Sequence, residues 1–545
     1  MKKLVSLILV LMLVIGAASF AAADDTRAVT VSVMQIESDY FPKDGEEYPQ
    51  PIQDWMDAVK TLVPGLEISV EVDHYENPDE QLPLLLASND LPDIVVSSGL
   101  NFMQYYNTGF FLDDLTELVN EYGKDILARC QETSIQLCTI NGKLVAIPAE
   151  NYSYKNPTIL RMDWVRNLGF EEKKSYTLSE IKEILIAMAE NDPDGDGEAD
   201  TYGLGCRFNG DESWTQSFMP IFGAFGGQPN QVYLEDGVAV PFNYSDDFRA
   251  CLEYLRDLYA VKAIDQEVFI LNYDQALVNA TNGKGGMYSG WWNVGSDLLQ
   301  KGLLELQPDV DFQSIFVTSD DGSKYGVMDH GSFWKTAMIS AECECPEAAI
   351  ALINYCHTDE GAAFGNPMLK DENGNYMYSD EQHSSSARMY KYTYGEQGVA
   401  YTNDEKYAMG WRLHPLSDLF SNLEIRQAES AMRAAEYHDT ADKISMLADA
   451  DVYDIAVGIH LYQTMFYGYV ETDEALTYNA GLDTMMKEWV VNFVTGAVEI
   501  NDDTWQQYLD AAVAKGAQDV LDSYVAAYNE LSPDATIAAY DIDNK

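Results

Sequence analysis

From Val29 to Met34 branched apolar residues alternate with Thr and Ser, the period-two signature of a strand. The stretch from Ile52 to Leu62 reads as a helix that stops before Pro64-Gly65. "LEISVEV" (Leu66 to Val72) predicts a second strand. "DEQLPLLLAS" predicts a helix that admits Pro83 in its first turn, and "PDIVVSS" (Pro92 to Ser98) a third strand. The order βαβαβ implies a parallel α/β sheet, whose ligands gather beyond the carboxyl ends of the strands. Further on, "NGKLVAIPAE" predicts a turn and a strand to Ile147-Pro148, and another strand runs to Arg161. "SYTLSEIKEILIAMAE" then predicts a helix. Thr177 and Glu180 have capping-box spacing, and Ile181, Ile184, Leu185 and Met188 form one apolar face.

That helix exits into "NDPDGDGEAD", Asn191 to Asp200. Asp192, Asp194 and Asp196 stand at positions 1, 3 and 5 of a calcium-loop pattern, Gly197 at 6 and Asp200 at 9, with the Glu198 carbonyl at 7. These are the oxygen donors and the turn glycine that a hard cation needs. Position 12 is Gly203 where a sensor hand has a bidentate Glu, and no second helix follows. The loop is therefore expected to hold calcium as scaffolding, apart from any ligand chemistry. A solvated, metal-free acidic turn is the alternative.

The N-terminal pattern differs from the rest. Lys2 and Lys3 precede an apolar run from Leu4 to Ala18, and Ala21 to Ala23 supply a small-residue cleavage pattern. Residues 1–23 are expected to be a signal peptide, and the run is too short to span a bilayer. No cysteine follows the run. The expectation is an exported chain, periplasmic or extracellular, held at the cell surface without a lipid anchor.

Charge narrows the partners. With 89 acidic against 33 basic residues the net charge is −56, a field that repels nucleic acid and anionic membranes. In so acidic a chain carboxylates meet by chance, so pairs of them carry no catalytic meaning by themselves. The chain is expected to be a monomer, in which seven cysteines leave at least one unpaired. In "CECPEAAIALINYCH", Pro346 is expected to open a helix that sets Cys356 and His357 about 16 Å from Cys345. That excludes one zinc site or one disulfide, and these cysteines are expected to be buried small hydrophobes. A Cys130–Cys138 bridge stays open. Histidines are scattered, with no His-Glu-x-x-His helix, Gly-x-Ser-x-Gly elbow or phosphate loop. A glycoside hydrolase needs only two carboxylates, so a secreted carbohydrate-active enzyme remains the second reading.

Four segments resemble extracellular solute-binding proteins of ABC transporters, in the large oligosaccharide-binding branch that includes alginate-oligosaccharide and lipoprotein-type binders. They are "LPLLLASNDLPDIVV", "ILRMDWVRNLGF" leading into "NDPDGDGEADTYGL", "GKGGMYSGWW", and "WVVNFVTGAVEINDDTWQQYLDAAVAKGAQDVLDSYVAAYNE", in the order that the family has them. The resemblance implies a two-lobed periplasmic-binding-protein fold of α/β class, with a hinge between discontinuous lobes and the ligand caught in the cleft. The first lobe is expected over 24–157 plus about 292–365, the second over 158–291 plus about 366–545, with crossings near 158, 291–300 and 365. It also implies an oligosaccharide ligand, ABC permease subunits as partners, and an aromatic in the cleft from the "GKGGMYSGWW" segment. In relatives a Glu often follows the ninth-position acid of the loop, whereas this chain has Thr201.

The candidate ligand-binding residues are Trp291 and Trp292, one of which is assigned to the core, and Trp411 with Arg412. Aromatic faces stack on sugar rings, and the guanidinium offers a fork of donors to hydroxyls or a carboxylate. Tyr152, Trp214 and Trp334 are further candidates. For each of these residues packing stands beside binding as an alternative. The ligand is expected to be a neutral oligosaccharide, with a peptide or another small solute as the alternative.

Overall fold

In the computed structural model the residues described are chiefly 57–62, 78–150, 158–205, 213–289, 310–324, 333–361 and 472–543, apart from a few positions within them, with short pieces such as 33–36 and 72–75. The chain divides into two compact units, each discontinuous. One comprises Met1–Asn151 and Phe333–Asn422, the other Tyr152–Ser332 and Leu423–Lys545.

The first unit is built on a five-stranded sheet in the order Val72–Tyr75, Val33–Ile36, Ile94–Ser98, Phe333–Ile339, Ile147–Glu150. The first three strands run parallel, as the βαβαβ reading requires. Phe333–Ile339 is antiparallel to both of its neighbours. Pro148 is tolerated because its strand lies at the sheet edge, where a missing N–H breaks no ladder on the open side. The strand continues past Pro148 to Glu150, beyond the expected end. The helix Pro78–Ser88 contains Pro83 in its second turn, not its first. The proline there removes the bond that its N–H would make to the Asp79 carbonyl. The expected helix from Ile52 is described only over 57–62, where 57–59 are helical and a turn follows; the strand from Leu66 falls outside the described residues except for Val72, as does the signal peptide.

The second unit has its own five-stranded sheet, ordered Ser175–Thr177, Phe312–Thr318, Thr158–Arg161, Gly285–Ser289, Tyr202–Leu204. Here the sequence expectation needs correction. Residues 292–365 were assigned to the first lobe, yet Phe312–Thr318 pairs with Thr158–Arg161 and Ser175–Thr177, and the unit boundary falls at Ser332. Six of the seven positions of that strand are buried, and Ile315 and Val317 join the second unit's core. The expected crossing near 365 is likewise corrected, because the first unit runs from Phe333 to Asn422 and the second resumes at Leu423.

One large core holds the second unit together. Helices Leu178–Glu190, Ser213–Phe225 and Asp246–Ala260 cover the sheet; the C-terminal helix Asp473–Thr495 packs onto Asp246–Ala260, and Asp502–Ala514 and Ala517–Leu531 pack against Asp473–Thr495, all through the same core. Aromatic rings fill it. Phe248 packs on Phe242, Trp505 on Tyr508 at 5.0 Å, and Trp489 on Phe493 at 5.2 Å. Arg161 is a buried charge beside this core. Its Nε donates to Asp163 at 2.8 Å, its Nη1 to Gln307 at 3.1 Å, and its guanidinium lies 4.4 Å from the Trp164 ring. Pairing and stacking together offset the desolvation of the guanidinium.

Pro346 is the first residue of the helix Pro346–His357, as expected from its missing N–H. Cys356 is buried but Cys343 and Cys345 are only half-buried, so two of the three depart from the expected burial. Cys130 and Cys138 are both buried, and no disulfide joins them.

Candidate functional site

The acidic loop grows out of a well-capped helix. The Thr177 hydroxyl accepts from the Glu180 amide, and the Glu180 carboxylate accepts from the Thr177 amide at 3.0 Å, completing the expected capping box. At the other end the Asn191 amide and side chain both donate to the Ala187 carbonyl. Asp192 then turns the chain at φ +47°, and Gly195 and Gly197 continue at +71° and +89°. A Cβ at either glycine would meet open space, so it is backbone conformation and not crowding that selects them.

The turn folds the backbone around its own carboxylates. The Gly197 amide donates to Asp192 Oδ2 at 3.0 Å and the Glu198 amide to Asp196 Oδ1 at 2.8 Å. The Asn167 side chain donates to the Pro193 carbonyl, tying the loop to the helix Met162–Asn167. Asp192, Asp194 and Asp196 each bring a carboxylate oxygen within 4.8 Å of the other two. Burial, contact with the Asp192 carboxyl and the charge of Asp196 all raise the Asp194 pKa. Asp192 Oδ1 is buried with no hydrogen-bond partner. Three crowded carboxylates and a buried acceptor with no donor fit a hard divalent cation.

The loop exit is organised differently from its entry. Asp200 stands outside the three-carboxylate group. Its Oδ2 is paired with Lys284 Nζ, while its Oδ1 is buried without a partner. Hydrogen bonding to Asp200, then the charges of Asp200, Asp196 and Glu198, raise the Lys284 pKa. The Glu198 side chain is exposed. Thr201 donates its hydroxyl to the Met188 carbonyl at 2.7 Å, closing the last turn of the preceding helix. Gly203 shows why position 12 carries no carboxylate: a Cβ there would sit 2.4 Å from the Leu185 carbonyl oxygen.

Lys284 escaped the sequence reading because "GKGGMYSGWW" drew attention only to its tryptophans. It reaches the loop through the parallel pairing of Gly285–Ser289 with Tyr202–Leu204. Among the candidate ligand-binding residues, Trp214 lies in the helix Ser213–Phe225 and Trp334 in the strand Phe333–Ile339, but the side chains of both fall outside those described. Tyr152, Trp291, Trp292, Trp411 and Arg412 also lie outside the described residues. Trp164, Trp489 and Trp505, whose side chains are described, are packed into or against the second unit's core.

No protein-family model matches the chain. Solved structures share its fold at low sequence identity. A solute-binding protein from Bifidobacterium longum infantis, described as binding HMO and associated with an ABC transporter, superposes with a TM-score of 0.58 at 16% identity, covering 92% of this chain and 99% of that one. The alginate-binding protein AlgQ2, solved without calcium ion, gives 0.53 at 17% identity, covering 94% and 99%. An EF-hand mutant of FusA from S. pneumoniae, in complex with fructo-nystose, gives 0.52 at 18%, covering 92% and 99%. The fold is thus the two-lobed α/β fold of solute-binding proteins.

By sequence the chain is similar to extracellular solute-binding proteins of ABC transporters. It is 27% identical over 217 residues to a polygalacturonan/rhamnogalacturonan-binding protein of Bacillus subtilis, covering 39% of this chain and 41% of that protein. It is 24% identical over 286 residues to the fructooligosaccharide ABC transporter substrate-binding protein FusA of Streptococcus pneumoniae, covering 48% and 50%. The chain spans about half the length of the curated relatives it matches. A third relative, from B. subtilis, is named a lipoprotein, so the relatives lend no support to the expected lack of a lipid anchor.

Proposed function

We propose that the protein is the exported substrate-binding component of an ABC importer, capturing an oligosaccharide and delivering it to membrane permease subunits. The observation that carries this reading is the agreement of two likenesses. The fold follows solute-binding proteins over more than nine-tenths of the chain, and two of the curated relatives are named for saccharides. The net charge of −56 disfavours long-range attraction of a polyanion, which supports a neutral oligosaccharide. The relatives are binding proteins by name, and binding without turnover is the proposal here.

A panel of neutral and acidic oligosaccharides tests this reading. Some neutral members should raise the melting temperature through linkage of binding to folding, and chromatography of the same mixtures should show no cleaved product. Cleavage would establish the enzyme instead, and a panel without any shift would remove the carbohydrate. For the ligand contacts we propose Trp411 and one of Trp291 and Trp292, with Arg412 supplying polar donors. Tyr152, Trp214 and Trp334 are secondary candidates. Loss of a stacking tryptophan costs on the order of 2 kcal/mol of binding. Trp411→Ala and the better placed of Trp291→Ala and Trp292→Ala should each weaken a hit from the panel at least tenfold while the protein stays folded.

The acidic loop is proposed to bind calcium in a structural role. Asp192, Asp194 and Asp196 would hold the ion, with Asp200 and the Glu198 carbonyl completing the set. When bound, the ion supplies the positive charge that the crowded carboxylates lack. Chelation should lower the melting temperature yet leave oligosaccharide affinity, measured well below that temperature, nearly unchanged.

A further inference from the structure

Asp200 is the acid at the loop exit, and neither of its neighbours in the calcium-loop pattern can stand in for it. The Thr201 hydroxyl is committed to the Met188 carbonyl. Gly203 has no room for any side chain against Leu185. Yet Asp200 is absent from the three-carboxylate group, and one of its oxygens is held by Lys284.

Lys284 is set there by the sheet. Its carbonyl accepts from the Tyr202 amide at 2.9 Å, and the next residue, Gly285, is in register with Tyr202 in the parallel ladder. The backbone two residues beyond Asp200 thus fixes the root of the lysine side chain. Meanwhile two buried carboxylate oxygens, Asp192 Oδ1 and Asp200 Oδ1, have no partner. A buried acceptor without a donor is costly to leave so. Lys284 satisfies one oxygen of Asp200 and leaves acceptor capacity at the first and ninth positions of the loop.

We propose that Lys284 is a built-in counter-cation of the acidic loop: it holds Asp200 while the loop is metal-free, gives it up as calcium binds, and thereby weakens the loop's calcium affinity. Two effects act in the same direction. Asp200 must exchange one cation for another, and a fixed positive charge beside a divalent site repels the incoming ion. Both vanish when the lysine loses its charge. This inference rests on the calcium reading proposed above.

The test is calcium titration by calorimetry on the metal-stripped full chain, in a double-mutant cycle. Lys284→Met keeps the aliphatic stem and should bind calcium at least tenfold more tightly than the parent, whereas Lys284→Arg should match the parent. In an Asp200→Asn background, Lys284→Met should gain clearly less than in the parent, because the contested carboxylate is gone and only the repulsion is left. Calcium binding by Lys284→Met alone would also support the inference. Equal or weaker binding by Lys284→Met overturns it and leaves the calcium reading standing. An undiminished gain in the Asp200→Asn background also overturns the exchange. Absence of calcium binding in every variant overturns both.

Discussion

Two acidic turns in the second unit look alike on paper, Asp192 to Gly197 and Asp320 to Ser323, each with neighbouring aspartates and a left-handed glycine. Their carboxylates are treated in opposite ways. Asp320 accepts from the Ser179 amide at 2.8 Å and the Ser179 hydroxyl at 2.7 Å, so both of its oxygens are used. Asp321 accepts from the Ser319 hydroxyl, the Ser323 amide and the Ser323 hydroxyl, all on one oxygen. The Ser319 hydroxyl, then the Ser323 donors, hold Asp321 down at about 2, and the Ser179 donors lower Asp320. In the Asp192 turn the shift is upward at Asp194, and a buried oxygen of Asp192 has no donor. Acidity is common to both turns. What separates them is the supply of donors: one turn is satisfied by the protein's own hydroxyls and amides, and the other has acceptors to spare for a cation.

The largest expected effect separates the turns by metal. Calcium at about 100 times its Kd adds about 2.7 kcal/mol of stability, which at about 2–4 °C per kcal/mol for a domain of 150–250 residues is several degrees of melting temperature. Asp194→Ala with Asp196→Ala should abolish that increment, and Asp320→Ala with Asp321→Ala should keep it in full. Differential scanning calorimetry with and without a chelator reads both. A calcium response lost from the second pair, or kept by the first, would break the contrast.

A smaller effect belongs to Asp320, which acts as an extra cap for the helix Leu178–Glu190 by binding the Ser179 amide in its first turn. Asp320→Ala should cost about 1 kcal/mol, as the loss of a capping side chain does. The same loss should be found in calcium and in chelator. A loss seen only in calcium would make this turn part of the metal site.

The smallest effect is a pH dependence at Asp321. Its folded pKa of about 2 lies below the ordinary 3.8, so its ionised form stabilises the fold. That contribution is fully present above 3.8 and is lost as pH falls toward 2. The melting deficit of Asp321→Asn should therefore be full at pH 5 and shrink toward zero near pH 2. Its size should stay at about 1 °C or less, because the group is solvent-exposed. A deficit that grows on acidification would reverse the assigned sign.

Much of the architecture could be read along the chain because its signals are local. The capping box of Thr177 and Glu180 spans three residues, Pro346 announces its own helix start, and the spacing of Asp192, Asp194 and Asp196 sets three carboxylates around one turn. Alternation and helical spacing likewise carried the α/β class and the parallel start of the first sheet. A close miss such as Pro83 came from placing the helix start one residue late.

Contacts between remote segments left no such trace. Asp200 and Lys284 are 84 residues apart, and Ser179 and Asp320 are 141 apart. Each pair is brought together by a parallel strand pairing, Gly285–Ser289 with Tyr202–Leu204 and Phe312–Thr318 with Ser175–Thr177, that no local pattern announces. The lobe boundaries that the resemblance implies put Phe312–Thr318 in the first lobe, and only its pairing with Thr158–Arg161 and Ser175–Thr177 shows the sheet it joins. By itself the sequence determined the capped helix Leu178–Glu190, the helix start at Pro346 and where a cation could be held, because those depend on side chains a few residues apart. Only the tertiary structure decided which acidic turn has its carboxylates satisfied by distant hydroxyls and amides and which acid faces a lysine. Hydrogen bonds and ion pairs act over a few ångströms in space, and strand pairing alone sets which distant residues come that close.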